Sequence, residues 1–491
     1  MMREPGAVAV RDSMPPSGRR AVRAARLSSL NRGAELKFVT DPLRVLLFLL
    51  MIVTISRVHL HYPILSALRP VLLLSVGTVG YAFLHPRSLT SNNVLSSGPM
   101  RMVALIALLG CLSAPFGISL GNSALFILDS FSKTLAFAFL IALAIRNVRD
   151  LYTMVWSFVL SAGILSFFAV FVFKLEPSFG DYSRLAELYT YDSNDLGVLL
   201  MIGLPLTLLL LIVDRGIKRW LLAANLILIS AAMARSGSRG GFLGLVAVAI
   251  AGLVLVNGVS VAKRTSVLIV AMIALAFAAP PGYWKQMGTI LAPKADYNYS
   301  SVDGRTALIK RGLGYMAGRP IFGIGIWNFA KAECTISPKI EDPSIGVKCI
   351  APHNSVIQAA AELGVPGLIA WPSLLIGLLI GPLRLRRKLP PAWRRSTNDL
   401  RFLYASTTFF PIAMCGFAVT SFFVTFAFAD PIYLMAGLTT GLYAVVRAQL
   451  AAESGATPVA AVASRRGRFE GWRVKRSEQR LIPAGHPGGG A

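Results

Sequence analysis

Residues Asp195–Val213 read DLGVLLMIGLPLTLLLLIV and run straight into DRGIKRW, Asp214–Trp220. After Asp195 the first stretch carries no charge, and it has roughly the 20 residues a helix needs to cross the hydrocarbon core of a bilayer. The second stretch holds Arg215, Lys218 and Arg219, a basic cluster of the kind that closes a membrane span on one side.

The same alternation repeats outward in both directions. Further apolar stretches lie near 44–59, 66–84, 101–119, 124–145, 151–173, 217–234, 240–257, 265–281, 354–382 in part, 402–425 and 430–447, giving about twelve spans in all. The first is interrupted early by Arg57, His59 and His61. Composition agrees, since a 491-residue chain that is 55% hydrophobic and 15% charged, with mean hydropathy +0.62, is too apolar to hide its surface in a soluble core. The fold class that follows is all-α and polytopic, with about twelve transmembrane helices and one large external loop.

A net charge of +26 raises nucleic acid as a partner, and the placement of the 49 Lys and Arg decides against it. With a cytoplasmic N-terminus, 33 of the 49 fall in the tails and in every second connection, as the positive-inside rule requires. This divides the chain into a basic cytoplasmic tail (1–43), spans one to nine (44–281), a large outer loop (282–353), the last three spans (354–447) and a basic cytoplasmic tail (448–491). The apolar run after the N-terminal tail lacks a small-residue cleavage site and reads as an uncleaved anchor. Both tails read as disordered, and the C-terminal one, with Arg465, Arg466 and Arg468, is either simply solvated or rests on anionic membrane lipid.

Long connections in compact domains are usually functional or disordered, and two on the outer side exceed a turn. The first, about 174–194, carries Glu176, Asp181, Arg184, Glu187 and Asp192, with Asp195 just beyond; the second is 282–353. Cys334 and Cys349 in the second loop are disulfide candidates if that side is an oxidising bacterial compartment, a bridge that would contribute roughly 3 kcal/mol; the alternative is two free thiols. Cys111 and Cys415 fall within spans and read as packing residues.

There is no Gly-rich Walker loop, no Cys or His pair at metal spacing and no Asp-x-Asp pair, so neither a metal nor a nucleotide cofactor is expected. The outer side instead offers Arg235 and Arg239 in ARSGSRGG, Arg305 after Asp303-Gly304, and His353 in APHNS. Arg239 is flanked by Gly237, Gly240 and Gly241, which let the backbone turn tightly and approach a ligand. It reads either as a bidentate grip on phosphate or as an arginine snorkelling to the interface. Arg305 shares its loop with Lys294, Lys310, Arg311 and Arg319, any of which can simply be solvated. Pro352 and the run from Asn354 to Leu363 place His353 at the start of a helix entering the membrane. The positive helix end disfavours imidazolium, leaving a neutral base, or else a structural hydrogen-bonded histidine.

Taken in order, Ser238-Arg239-Gly240-Gly241, Gly304-Arg305, Pro320-Ile321-Phe322-Gly323-Ile324-Gly325, Asn328-Phe329, His353-Asn354-Ser355 and Ala361-Glu362-Leu363-Gly364-Val365-Pro366-Gly367 resemble the O-antigen ligase and polysaccharide polymerase superfamily. The likeness is strongest over 236–372. Asp192-Ser193-Asn194-Asp195 also resembles an Asn-Asp found before the sixth span in many members and is expected at the rim of the cavity.

The resemblance implies a membrane glycosyltransferase of GT-C-like architecture in the bacterial cytoplasmic (inner) membrane, with its site on the periplasmic face. Its donor would be a glycan on polyprenyl (undecaprenyl) diphosphate. Its acceptor would be a saccharide hydroxyl on lipid A core, another glycan or a lipid-linked repeat, by inverting transfer without metal or cofactor. Carried over, it gives Arg239 and Arg305 the donor diphosphate and His353 the acceptor proton. Arg235, Arg311, Asn354 and Glu362 follow as supporting residues, with Glu362 expected to fix helix packing or an arginine. An exopolysaccharide or O-antigen polymerase is the alternative within the class. A transporter or lipid flippase is the alternative outside it, against which stands the lack of two related halves.

Overall fold

The structure is a computed structural model that describes residues 36–90, 93–177, 183–185, 187–189, 191–280, 282–292, 304–338 and 348–454. Asp181, Lys294 and most of both tails lie outside the described residues. The helices are α1 Pro42–Ser56, α2 Pro70–Leu84, α3 Gly98–Phe116, α4 Leu120–Ala144, α5 Val148–Phe171, α6 Ser193–Val213, α7 Gly216–Ser236, α8 Arg239–Leu255 and α9 Val261–Ala278. They continue as α10 Arg305–Gly318, α11 Phe329–Thr335, α12 Ser355–Arg386, α13 Asn398–Thr420 and α14 Asp430–Glu453. One-turn helices at Pro63–Ala67 and Tyr283–Gly288 sit in the connections.

Among the described residues, α3 to α7, α12 and α13 are long and apolar enough to cross a membrane, and α1, α2 and α8 are shorter apolar helices. With α9 and α14, a helix lies on each of the twelve stretches read as apolar spans. The only strands described are short antiparallel pairs in the connection before α6. Here β1 Leu175–Pro177 pairs with β2 Ser183–Leu185, and β3 Glu187–Leu188 pairs with β4 Tyr191–Asp192. The protein is thus an all-α polytopic membrane protein. By internal contacts residues 1–443 form one compact unit and 444–491 a second, whose described part is helical through Glu453.

Within the first unit α6 and α13 pack on each other; α6 also meets α5, α7 and α8, and α13 also meets α8 and α12. Small residues allow this. A Cβ on Gly416 of α13 would come 2.6 Å from Val248 of α8 and 3.0 Å from Met201 of α6. Close backbone approach is how apolar helices associate where lipid offers them no hydrophobic drive.

Helix α12 is two helices joined across Gly364, whose φ of 70° and ψ of −163° break the ladder. Inside an apolar bundle the freed groups need partners, and the segment 320–329 supplies and receives them. Ile324 N–H donates to the Ala361 carbonyl (2.9 Å), Gly325 N–H to the Glu362 carbonyl (3.1 Å) and Val365 N–H to the Pro320 carbonyl (2.8 Å). The Glu362 carboxylate accepts from Trp327 N–H at 2.5 Å and Phe329 N–H at 3.1 Å. Gly323 and Gly325 take positive φ at this junction, where a Cβ on Gly323 would lie against the Ala361 and Glu362 backbone.

The connection between α9 and α12 therefore has a core of its own on α12. Leu308 and Tyr315 of α10, Ile324, Phe329 and Ala332 cluster with Ile357 and Ala361 of α12. Cys334 of α11 and Cys349 are joined as a disulfide with Cα atoms 4.9 Å apart.

Replacing Glu362 by Leu leaves the buried Phe329 N–H unmet at about 1–3 kcal/mol and also releases the partly buried Trp327 N–H. Glu362→Leu is therefore expected to lower the unfolding temperature of the detergent-purified protein clearly below wild type. An unchanged melt would mean that the 320–329 segment does not rest on this carboxylate.

Candidate active site

Helix α7 ends at Ser236 with Gly237 in the left-handed region (φ 57°), and only Gly237 and Ser238 separate it from α8, which begins at Arg239. Ser238 makes so short a joint workable. Its hydroxyl accepts from Gly241 N–H at 3.0 Å as the N-cap of α8 and donates to Asn194 Oδ1 of α6 at 2.7 Å. Asn194 is itself set by Asp192, whose carboxylate caps α6 through Asn194 N–H (2.7 Å) and Asp195 N–H (2.8 Å). The DSND and SRGG motifs thus meet, with Gly197 and Gly241 close enough that a Cβ on Gly197 would lie 3.2 Å from Gly241 Cα. Arg239 leaves this turn half-buried and donates to Thr289 Oγ1 at 2.9 Å.

Arg305 is the first residue of α10, after the N-cap Gly304. Its guanidinium sits 5.0 Å from the centre of the Phe423 ring, within cation–π range. Phe423 closes the single turn Ser421–Phe423 after α13, and a Cβ on Gly240 would come within 2.8 Å of its side chain. One aromatic ring therefore touches the start of α8 beside Arg239 and carries Arg305. The absent side chain at Gly240 makes room for it.

His353 lies one residue before the α12 N-cap, Asn354, whose side chain accepts from Val356 and Ile357 N–H, each at 3.0 Å. His353 has φ 45°, a conformation costly for a side-chain-bearing residue. Its neighbours hold it there. His353 N–H donates to Thr425 Oγ1 at 3.2 Å, Ser355 Oγ donates to the Val424 carbonyl at 2.9 Å, and Phe426 N–H donates back to Ser355 Oγ at 3.0 Å. Gln358 Oε1 accepts from Ala427 N–H at 3.0 Å. Burial depresses the imidazole pKa below the ordinary 6.5, Asp192 pulls it up, and Arg305 pushes it down. His353 thus sits in the fields of residues from two connections distant in the chain, Asp192 before α6 and Arg305 at the start of α10.

Arg239, Arg305, His353, Asp192, Asp195, Phe423 and Thr425 are all half-buried, as groups lining a recess would be. The concavity lined by Phe38, Asp41, Asn147, Arg149 and Asp399 is a different place, at the start of α5. The cluster lies toward the other end of that helix, where Arg235 meets its last carbonyls.

Two expected supporting residues are engaged elsewhere. Arg235 donates to the Ala169 (3.1 Å) and Phe173 (2.9 Å) carbonyls, satisfying the end of α5. Arg311 forms an ion pair with buried Glu333 (2.7 Å), which also accepts from Tyr315 Oη (2.8 Å). Among the described residues Glu362 meets backbone amides and no arginine, and Asn354 is a helix cap. Sequence reading did not single out Phe423, Thr425 or Thr289. Nothing local in FFVTF or in GTI marks them, because each matters through an element distant in the chain.

Residues 223–372 match the O-antigen ligase family model. The resemblance read from the motifs is borne out over the segment that holds Arg239, Arg305, His353 and Glu362. No curated protein matches the chain.

Because Arg311 neutralises a carboxylate that is fully buried, Arg311→Ala strands that charge at a cost of about 3–5 kcal/mol. The variant should unfold at markedly lower temperature. In what remains folded, affinity for a lipid diphosphate should be unchanged; a selective loss of that affinity would place Arg311 in the site after all.

Proposed function

We propose that the chain transfers a glycan from a polyprenyl diphosphate to a sugar hydroxyl at the outer face of the bacterial cytoplasmic membrane. The O-antigen ligase domain supports this kind of reaction in general. The observation that carries the specific reading is the meeting at Phe423 of the Arg239 turn with Arg305, beside a depressed-pKa His353 that feels Arg305.

A diphosphate has more anionic oxygens than one cation can hold. Arginine suits it because the planar fork donates two parallel hydrogen bonds and stays charged. Arg239 and Arg305 would take these oxygens, each starting from the N-terminal turn of a helix whose dipole favours an anion. His353, neutral near pH 7, accepts the proton of the acceptor hydroxyl. The oxygen attacks the anomeric carbon from the face opposite the diphosphate, and the bond to the phosphate oxygen breaks with its electron pair passing to the leaving group. Negative charge grows on the diphosphate as this occurs, and fixed guanidinium groups stabilise it without reorganising. General-base help of this kind supplies roughly 10²- to 10⁴-fold.

His353→Ala should insert and melt like wild type yet lose transfer by roughly that factor, 10²-fold or more, with purified protein and a synthetic polyprenyl-diphosphate oligosaccharide. Wild-type turnover would overturn the reading. The pH profile is a separate check. A base must be deprotonated to act, so turnover should rise with pH through an inflection below 6.5 and then level off. Removing a positive neighbour raises a histidine pKa and removing a negative one lowers it. Arg305→Ala should therefore move the inflection to higher pH and Asp192→Asn to lower pH; an inflection fixed in both variants would show that His353 is not the titrating group.

A further inference from the structure

Arg57 enters the sequence as an interruption of the first apolar stretch, but its placement is specific. It is the C-cap of α1 at φ 50° and ψ 22°, the left-handed position that helices usually give to Gly or Asn. A side chain there costs roughly 1–2 kcal/mol, so the site repays it elsewhere. The half-buried guanidinium lies 3.7 Å from the centre of the Tyr191 ring, and Tyr191 Oη donates to the Thr54 carbonyl at 3.4 Å. The end of α1 therefore clamps Tyr191, itself 5% exposed, over its face and at its tip.

Tyr191 is followed directly by Asp192, the α6 N-cap whose charge acts on His353. Asp192 also fixes Asn194, which receives the Ser238 hydroxyl beside Arg239. A shift at Tyr191 would be passed to both the histidine and the arginine turn. Among the described residues, Arg57 also acts on His59 of its own segment, Asp195 of α6 and Asp430 of α14, and Asp430 accepts from Thr134 Oγ1 at 2.5 Å.

We propose that Arg57 is a positioning residue of the transfer site: clamped over Tyr191, it holds the Asp192 cap of α6 in register with His353 and the Arg239 turn. The proposal rests on the transfer reading above. It requires no contact between Arg57 and substrate, so its loss should lower turnover and leave donor affinity alone.

The test uses the full chain in nanodiscs with a polyprenyl-diphosphate oligosaccharide donor. Arg57→Gln should lower kcat roughly tenfold to thirtyfold, the range that a partly desolvated cation–π contact can supply, with donor KM within about twofold of wild type. Arg57→Lys, which keeps a cation over the ring, should recover a substantial part of that loss. Tyr191→Leu removes the platform and should show the same defect. Because the two act as one unit, the double variant should be no slower than the slower single variant.

Wild-type kcat in Arg57→Gln, additive losses in the double variant, or a defect confined to donor KM would each overturn the positioning role. His353→Ala run alongside separates the two readings. An active His353→Ala sinks the transfer mechanism, whereas an inactive one beside a fully active Arg57→Gln sinks only the positioning role. Should Arg57→Gln not accumulate, the Lys and Leu variants carry the same comparison.

Discussion

A helix interrupted within an apolar bundle must have its broken backbone groups met from elsewhere, and in this protein the break at Gly364 organises the face that carries residues 304–338. The segment 320–329 fills the gap with three backbone hydrogen bonds, and Glu362 accepts two more from its amides. That segment joins α10 to α11, so what satisfies the break also fixes the helix that starts with Arg305 against the helix that starts beside His353. The helix starts that carry Arg305 and follow His353 are thus placed by an obligation of the backbone.

The same obligation sorts the arginines. Arg44, Arg264, Arg386 and Arg401 donate to the closing carbonyls of α4, α8 and α6 at one end of the bundle. Arg235 and Arg319 do so for α5 and α3 at the other. Carbonyls at helix C-termini are both unsatisfied and negative, and a guanidinium answers each need. Arg44, Arg264 and Arg401 do this from the first turns of α1, α9 and α13, and Arg239 and Arg305 are themselves the first residues of α8 and α10, where a cation gains nothing from the dipole of its own helix and an anion would.

Much of this was legible in the chain. Uninterrupted apolar runs such as Leu196–Val213 have few outcomes other than a membrane helix, and a helix lies on every stretch read that way. Arg239 and His353 could be picked out because Gly240, Gly241, Pro352 and Asn354 mark turns and caps locally. Roles set by distant partners were not legible. Arg311 looks like any loop cation until α11 brings Glu333 to it, and Arg57 looks like a defect until Tyr191 arrives beneath it. Phe423 carries no local mark at all, since its meaning lies in the bare Gly240 on one side and Arg305 on the other.

The arginine-capped helix ends bear on how the chain tolerates change. Orientation during insertion responds to charge, and lysine serves as well as arginine for that purpose. A carbonyl cluster at a helix end responds to geometry, and the forked head serves where a point charge does not. The chain has 36 Arg and 13 Lys. Two physical requirements are thus superimposed on one residue type, one acting while the protein is being made and the other for as long as it stays folded. Drift from Arg to Lys at Arg264 or Arg386 would be silent in the first and registered in the second, as fraying of α8.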